Sequence, residues 1–286
     1  MAAMVLDGVA VARNVYAGLA ARVAALAKQG IRPGLAAVQV GDNPASKIYI
    51  RNKVRACSGA GVHSIVEALP GDTSSSQLVE VLRRLNENPA IHGILVQLPL
   101  PDHLAPTLVA MTVAPEKDVD GLTWQNLGAL MAGHPRFEPC TPRGVIRLLE
   151  HAGVEIAGRD AVVVGRSTIV GRPMAMMLTA RSATVTVCHT RTSDLAGYTR
   201  RADILVAAAG RAGLIDGRMV KPGAAVIDVG INRGPNGIVG DVNFADTVKI
   251  AACVTPVPGG VGPMTIAMLI ENTVQAAETV TATGQA

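Results

Sequence analysis

The feature of this 286-residue chain that most restricts its fold is an alternation of short, β-rich apolar runs with segments of helical periodicity. In the first half, strand-like runs at residues 35–40, 65–69 and 93–98 are separated by helical patterns, one passing through residue 49 and one at 76–86. Such alternation is typical of βαβ units built around a parallel sheet. The first half is therefore predicted to be an α/β domain.

The second half continues this rhythm. A helical pattern at residues 173–178 follows the first of a series of strand-like runs. These runs are residues 161–164, 184–188, 204–208 and 225–229. This order of segments predicts a doubly wound, Rossmann-like nucleotide-binding sheet.

A domain boundary is predicted near residue 140. At residues 139–144 the chain changes character, because Thr141 and Pro142 form a turn-and-cap signature at the start of a helical stretch. A last segment with helical spacing, residues 264–277, is expected to pack back on the first domain. The prediction is two α/β domains, residues 1–139 with the C-terminal helix 264–280, and residues 140–263. One very large domain is the alternative that the length allows.

The composition fits a folded protein that binds a small ligand. Hydrophobic residues make up 49% of the chain and charged residues 17%, which argues against disorder. Aromatic residues make up 2%, so the stacking platforms that single-stranded nucleic acids need are scarce. The net charge of +4 comes from scattered cations, which an anionic small ligand explains as well as DNA would. We expect no nucleic-acid partner.

The cysteines and the N-terminus indicate a soluble, cytoplasmic protein with no membrane partner. Cys57, Cys140, Cys188 and Cys253 form no CxxC pair, so we interpret them as reduced, mostly buried thiols and expect no metal site. Charged residues interrupt the Ala-rich start while apolar residues continue at helical period, which favours an amphipathic first helix over a signal peptide. No apolar run approaches the roughly 20 residues that a membrane span needs.

A glycine-bearing turn at residues 165–173 joins a predicted strand to a predicted helix. A helix N-terminus preceded by glycines offers free backbone N–H groups and a positive dipole end to a pyrophosphate. The spacing differs from G-x-G-x-x-G, and a plain strand-to-helix turn explains this segment about as well.

The end of the next strand distinguishes between nicotinamide cofactors. NAD enzymes place an acidic residue there for the ribose 2′-hydroxyl, but this strand ends in His189, Thr190, Arg191 and Thr192. A hydroxyl and a cation at that place, together with Arg166, would suit a 2′-phosphate. This favours NADP over NAD. For Arg191 alone, a solvated loop charge is the simpler interpretation.

Tyr49 and Lys53 are a candidate pair for chemistry. They stand at i and i+4 on a predicted helix, close enough for the phenol and the ammonium to act on one ligand. An amine that is desolvated loses part of its basicity and can exchange protons near neutral pH. On spacing alone, such a pair is more often an ordinary feature of a helix surface.

Polar residues after two other segments strengthen this interpretation. Gln97 closes a predicted strand, where parallel-sheet proteins present ligands, and its neutral amide could hold Lys53 without supplying a counter-charge. Asp118 and Asp120 lie in the segment 115–121, where a carboxylate could accept two hydrogen bonds from a heterocycle edge. A role as a turn or capping acid is the alternative, and it fits Asp118 better than Asp120.

The segment 256–263 is rich in glycine and proline and is predicted to be a shaped loop rather than a helix or strand. Glycines let a backbone approach a ligand closely, and prolines remove freedom that the loop would otherwise lose on binding. A structural linker is the alternative.

With these residues in view, the sequence resembles the bifunctional methylenetetrahydrofolate dehydrogenase/methenyltetrahydrofolate cyclohydrolase family over about residues 5–278. Each matching segment is short, but their order and spacing together make chance similarity very improbable. The segments are residues 40–42, 45–46, 49–53, 97–101, 117–121, 139–142, 165–173, 228–232 and 256–265.

The resemblance implies roles for individual residues. It implies that Lys53 is catalytic and that Gln97 tunes it. Tyr49 would stack on the folate, and Asp120 would grip the pterin. Further folate-binding positions implied are Pro258, Gly259, Gly260, Val261 and Gly262. The NADP-binding positions implied are Gly165, Arg166, Ser167, Thr190 and Ile231. Many members have Ser in place of Thr190, so the hydroxyl is retained.

The resemblance also implies two successive reactions. Hydride leaves the methylene bridge of 5,10-methylenetetrahydrofolate for NADP, and water then opens the methenyl product to 10-formyltetrahydrofolate. Hydride transfer mainly demands placement, whereas hydrolysis needs proton handling, which is assigned to Lys53. A homodimer is expected because the family is commonly dimeric.

Two other functions are weighed against this one. A monofunctional folate dehydrogenase would share these motifs. A redox-sensing module that only binds NADP would leave Tyr49, Lys53 and Gln97 without a purpose. The lack of a P-loop motif argues against a fused formate-activating ligase.

Overall fold

The computed structural model describes residues 3–235 and 237–282. The chain forms two compact units. The three-stranded unit comprises Asn14–Cys140 and Ile266–Ala286, and the six-stranded unit comprises Met1–Arg13 and Thr141–Thr265.

The elements of both units follow one another along the described residues. The strands are β1 (Met4–Val5), β2 (Gly34–Val40), β3 (His63–Leu69), β4 (Gly93–Val96), β5 (Asp160–Val164), β6 (Thr184–Cys188), β7 (Ile204–Ala207), β8 (Ala225–Asp228), β9 (Asn232–Gly234), β10 (Gly237–Val239) and β11 (Cys253–Val254). The helices are α1 (Gly8–Lys28), α2 (Pro44–Gly59), α3 (Ser75–Glu87), α4 (Pro106–Thr112), α5 (Trp124–Met131), α6 (Cys140–His151), α7 (Gly171–Thr179), α8 (Leu195–Thr199), α9 (Phe244–Thr247) and α10 (Val261–Ala282).

The three-stranded unit is built on a parallel sheet of order β3-β2-β4. Every residue of β2 is buried, as expected for a central parallel strand that is covered on both faces. Helix α3 begins at a capping box, in which Ser74 and Gln77 each satisfy the other's backbone N–H. Its buried stripe of Leu78, Leu82 and Leu85 packs into the same core as the strands.

The C-terminal helix α10 belongs to the three-stranded unit from Ile266 onward. Asn272 Nδ2 donates to the carbonyl oxygen of Val119 at 2.8 Å. Arg22 of α1 donates two hydrogen bonds to the carboxylate of Glu278, at 2.8 and 2.7 Å. The prediction that the last helix packs on the first domain is confirmed.

The six-stranded unit contains a parallel sheet of order β1-β11-β8-β7-β5-β6. From β5 the chain passes through α7 to β6 on one side, and then returns to β7 on the other side of β5. Strands β7 and β8 are entirely buried. This arrangement confirms the predicted α/β fold with a Rossmann-like sheet.

The N-terminus departs from the predicted domain boundaries. The sequence patterns predict that all of residues 1–139 lie in the first domain, but Met4 pairs with Cys253 because β1 adds to the edge of the six-stranded sheet. A strand of two residues has too little periodicity to be recognised. The sequence patterns also do not predict α4, α5 or the antiparallel β9–β10 hairpin, which are all short.

Helix α1 has the amphipathic pattern that the sequence predicts. Its side chains at Val11, Leu19 and Leu26 are buried, whereas Arg13 and Lys28 are exposed. Among the described residues, α1 is the one helix long and apolar enough to cross a membrane by length and composition alone. This is weak evidence for a membrane protein, since the core helix of a soluble protein passes the same test.

Two glycines of the three-stranded unit predict opposite effects of adding a methyl group. A Cβ at Gly34 would overlap the carbonyl oxygen of Ala90, whereas a Cβ at Gly18, at an exposed position inside α1, would meet no atom within 4 Å. Gly34→Ala should therefore lower the free energy of unfolding by about 1–3 kcal/mol or more. Gly18→Ala should raise it by about 0.5–1 kcal/mol, because alanine restricts the unfolded chain and favours the helix.

Urea denaturation of the two variants beside the parent chain measures both effects. Equal stability of Gly34→Ala and the parent would contradict the packing of β2 against residue 90.

Candidate functional site

Helix α2 places the predicted Tyr49 and Lys53 pair. The helix begins with Pro44, whose fixed backbone suits a first helical position. Ile50 and Cys57, two turns apart on one stripe of this helix, are buried. Tyr49 and Lys53 lie on the neighbouring stripe and are half-buried. They are one turn apart, so both can face the same ligand.

Lys53 is held by a neutral partner. Its ammonium donates to Gln97 Oε1 at 3.0 Å, and Gln97 Nε2 donates to the carbonyl oxygen of Leu98 at 2.7 Å. The second bond fixes which end of the amide faces the lysine. Gln97 directly follows β4, the position that the sequence analysis assigns to it. The structure therefore brings Lys53 and Gln97 together across 44 residues of sequence.

The electrostatic environment of Lys53 has two opposing parts. Burial lowers the pKa of Lys53, because removing an ammonium from water disfavours its charged form. The negative charge of Asp120 acts in the opposite direction and is the largest raising influence on that pKa. The amine therefore loses part of its basicity while keeping an acidic group in range, and it can give and take a proton more readily than a surface lysine.

The pKa of Asp120 depends on the same two effects, burial and the charge of its neighbour. Burial raises the pKa of Asp120, Lys53 opposes that rise, and the nearby charge of Asp118 adds to it. A carboxyl group in this environment can exchange a proton or accept hydrogen bonds from a planar heterocycle. The structure thus places Lys53, Gln97 and Asp120 within one electrostatic site, with Tyr49 one turn away on α2.

Asp118 has a structural role, as the sequence analysis favoured. Its Oδ2 accepts a hydrogen bond from the Thr123 backbone N–H at 2.7 Å and another from Asn126 Nδ2 at 2.8 Å. The side chain is 4% exposed. Both partners belong to the start of α5, so Asp118 anchors that helix rather than a ligand.

Cys140 is a site neighbour that sequence reasoning interpreted only as a buried thiol. Its Sγ donates to the Val119 carbonyl oxygen at 3.2 Å. It also lies close enough to Asp120 and Lys53 to lower the pKa of the first and raise that of the second. Asn272 holds the same Val119 carbonyl. For Cys140, the signal in the sequence was its place in the segment 139–142. For Asn272, no local pattern indicated the contact.

In the six-stranded unit, the turn after β5 requires glycine at two positions, because neighbouring backbone fills the space where a side chain would begin. Gly165 has φ of +132°, and a Cβ there would overlap the carbonyl group of Ala208. Gly171, which begins α7, would overlap the backbone of Gly165 if it carried a Cβ. Arg166 and Ser167 between them are exposed. This is a compact glycine cradle at a helix N-terminus, and it fits a dinucleotide phosphate.

The ends of β6 and β8 supply the other predicted cofactor positions. Val164 pairs with Cys188, so the residues after β5 and after β6 lie at the same edge of the sheet. Thr190 and Arg191 are exposed there. Ile231 follows β8 and is 53% exposed although it is apolar. A hydroxyl, a cation and an uncovered apolar side chain can contact the phosphate, ribose and ring parts of a nucleotide.

The glycine- and proline-rich segment is only partly a loop. Gly260 N donates to the Pro256 carbonyl oxygen at 2.9 Å, and Gly259 has φ of +105°, so residues 256–260 form a tight turn. Helix α10 already begins at Val261, and the prediction that this whole segment is non-helical is wrong at that point. Pro263 is compatible with the helix because the first turn has no intrahelical N–H bond to lose. This segment belongs to the six-stranded unit.

Comparison with known proteins agrees with this geometry. The family model described as tetrahydrofolate dehydrogenase/cyclohydrolase, catalytic domain, matches residues 6–120, and the model of the NAD(P)-binding domain of the same family matches residues 139–281. The bifunctional protein FolD of Bordetella avium is 58% identical over 279 residues, which cover 97% of this chain and 98% of the relative. The FolD of Moorella thermoacetica is 56% identical over 278 residues, 97% of this chain and 99% of that one.

Solved structures give the same result. The bifunctional enzyme FolD of Campylobacter jejuni superposes with a TM-score of 0.95 at 47% identity, covering 97% of this chain and 99% of that chain. The Trypanosoma brucei enzyme, complexed with NADP cofactor and inhibitor, has a TM-score of 0.94 at 41% identity, covering 98% of this chain and 99% of that chain. The resemblance drawn from the motifs is confirmed, and the chain belongs to the tetrahydrofolate dehydrogenase/cyclohydrolase family.

Proposed function

We infer that this protein is a bifunctional, NADP-dependent enzyme of one-carbon metabolism. It oxidises 5,10-methylenetetrahydrofolate to 5,10-methenyltetrahydrofolate and hydrolyses that product to 10-formyltetrahydrofolate. The family match over both domains, together with FolD relatives at 58% and 56% identity, carries this conclusion. The hydrogen bond from Lys53 to Gln97 supports the role proposed below for Lys53 in hydrolysis.

Lys53 is the proposed proton-handling residue of the hydrolytic step. The methenyl group is a cation, and water must lose a proton as it attacks, while the ring nitrogen that leaves must gain one. A partly desolvated amine near an acidic group can move both protons. Gln97 keeps the amine in place by a neutral bond. Asp120 is proposed to bind the pterin edge, and Tyr49 to stack on the folate.

The dehydrogenase step rests on placement. Bound NADP supplies the hydride acceptor. In this proposal the glycine cradle and Ser167 bind the pyrophosphate, Arg166, Thr190 and Arg191 bind the 2′-phosphate, and Ile231 contacts the nucleotide. Residues 258–262 are proposed to bind folate. Ser167 Oγ accepts weak bonds from the backbone N–H groups of Val170 and Gly171, at 3.2 and 3.3 Å, which leaves its own proton available to a phosphate oxygen.

A homodimer and a cytoplasmic location are further proposals. The family expectation supports the homodimer. The cysteines support the cytoplasmic location, because all four lie in the described part of the chain, are buried and form no disulfide. The substrates are folates, and no nucleic-acid or membrane partner is proposed.

The role of Lys53 is tested by Lys53→Met. Because the thioether cannot carry a proton, the hydrolysis of methenyltetrahydrofolate should fall at least about 100-fold. The absorbance of the methenyl compound follows this step without NADP. The thermal shift caused by NADP should be unchanged. Lys47→Met is the matched control, since Lys47 lies on the same helix and pairs with Asp42 at an exposed position. A fully active hydrolase in Lys53→Met would contradict the assignment.

Gln97→Glu tests why the partner of Lys53 is neutral. A carboxylate about 3.0 Å from the ammonium would favour its charged form and raise the pKa of Lys53. If hydrolysis needs the neutral amine, its rate should fall near neutral pH, and the limb of the pH–rate profile should move to higher pH by the same amount. If the hydrolysis rate falls at every pH while the midpoint of the pH–rate profile stays the same, Gln97 does not set the pKa of Lys53.

Arg166→Gln tests the recognition of the 2′-phosphate. Loss of a charge-assisted bond should raise the KM for NADP about tenfold or more and leave the KM for NAD nearly unchanged. Steady-state oxidation of methylenetetrahydrofolate with each cofactor measures both values. Arg159→Gln is the control, because Arg159 is an exposed arginine that directly precedes β5, whereas Arg166 follows it. Equal losses with NADP and NAD, or a parent enzyme that prefers NAD, would overturn the assignment.

A further inference from the structure

Asp241, in the six-stranded unit, is a buried carboxylate surrounded by hydrogen-bond donors. It is 0% exposed. Its Oδ2 accepts from the backbone N–H groups of Ala209 and Gly210 at 2.6 and 2.9 Å. Its Oδ1 accepts from the Arg211 backbone N–H at 2.8 Å and from Asn232 Nδ2 at 2.9 Å. One side chain thus organises three consecutive backbone amides after β7 and a side-chain amide in β9.

A second aspartate fixes the first. Asp228 Oδ1 accepts from the backbone N–H groups of Gly230 and Asp241, both at 2.9 Å, and Oδ2 accepts from that of Val242 at 2.9 Å. The Asp228 backbone N–H donates to Thr255 Oγ1 at 2.7 Å. The carboxylate of Asp241 is therefore held on a backbone that is itself fixed. We call Asp228 and Asp241 with these donors the two-aspartate clamp.

The clamp leaves no space for other side chains between its members. A Cβ at Gly230 would overlap the backbone and carboxylate of Asp241, and a Cβ at Gly240 would overlap the carboxylate of Asp228. Both oxygens of each carboxylate accept hydrogen bonds, and the donors come from separate segments. Such a network specifies one arrangement of the loops that it joins.

The segments held by the clamp are those that contact the proposed cofactor positions. Ala208, one residue before the bound amides, donates its N–H to the Val164 carbonyl oxygen at 2.8 Å, and its carbonyl group fills the space beside Gly165. Asn232 directly follows Ile231. The clamp therefore fixes the position of Ala208, which lies against Gly165, and the start of the β9–β10 hairpin.

We propose that Asp241 is a positioning residue for NADP, which holds residues 208–211 and Asn232 in the arrangement that the cofactor needs. This proposal rests on the proposed function of Gly165 and Ile231 as cofactor contacts. Asp241 acts through the backbone and does not touch the reacting atoms. Since hydrolysis of methenyltetrahydrofolate consumes no NADP, Asp241 should matter to one half-reaction and not to the other.

Asp241→Asn is the direct test. Asparagine has the same shape, but its amide replaces one acceptor oxygen by an N–H₂ donor, which would face two of the existing donors in either orientation. The KM for NADP in methylenetetrahydrofolate oxidation should rise about tenfold or more, while kcat at saturating NADP stays within about threefold. Hydrolysis of methenyltetrahydrofolate without NADP should be unchanged, and the thermal shift caused by NADP should shrink.

Asp160→Asn is the matched control, because this exposed aspartate at the amino end of β5 undergoes the same change of charge. A folded Asp241→Asn enzyme with the parental KM for NADP would overturn the proposal, as would a parallel loss of both half-reactions. If the parent enzyme itself fails to oxidise its substrate with NADP, the proposed function fails instead, and the two failures are distinguished.

Asn232→Ala tests the proposal if Asp241→Asn does not fold. It removes one donor and leaves the carboxylate with its three backbone bonds, so the KM for NADP should rise about threefold or more with hydrolysis unchanged. An unchanged KM would overturn the proposal. Where both variants fold, the double variant should be no worse than Asp241→Asn alone, because both changes act on one network. Additive effects would show that Asn232 works independently of Asp241.

Discussion

Parallel pairing of the strands is the constraint on which both units depend. Because parallel neighbours end at the same edge, the residues that follow them are gathered there whatever their separation in sequence. In the three-stranded unit, Gln97 follows β4. In the six-stranded unit, Gly165 follows β5, Thr190 comes shortly after β6, Ala208 follows β7 and Ile231 comes shortly after β8. A sheet of buried, hydrogen-bonded strands is rigid, so polar groups at its edge are held in fixed positions without being part of the core.

The two units stabilise their buried charged groups in different ways. In the three-stranded unit, the ammonium of Lys53 and the carboxyl of Asp120 share an environment in which burial and mutual attraction oppose each other, and such groups stay able to exchange protons. In the two-aspartate clamp, carboxylates are surrounded by backbone N–H groups. Burial raises the pKa of Asp228 to about 6, while its hydrogen bonds from Val242, Asp241 and Gly230 oppose the rise. The side chain of Asp228 positions the surrounding backbone and takes no part in the proposed reactions.

The sequence predicts those parts of the fold whose signal is local. The apolar runs of β2, β5 and β8 are continuous and bounded by turn residues, so their strands follow from pattern alone. Lys53 and Gln97 could be paired because each occupies a recognisable place, one on a helix stripe and one after a strand. The roles of Asp118 and Asp120 could be distinguished, because acidic residues are common as turn and capping residues and Asp118 fits that role better. The predicted start of the last helix at residue 264 was wrong, because α10 begins at Val261. Glycine and proline are frequent in the first turns of helices as well as in loops.

The contacts that sequence reasoning missed are those that depend on distant segments. Nothing near Asn272 indicates that its amide binds Val119, 153 residues away. Asp241 stands in the turn before α9 and has no local feature that distinguishes it from a capping acid. Its role follows only from the donors that converge on it, which come from the ends of β7 and from β9. A buried carboxylate with four such donors is costly to place unless all are present. The clamp therefore ties the geometry of the nucleotide edge to complete folding of its sheet, whereas the site around Lys53 depends on none of these bonds.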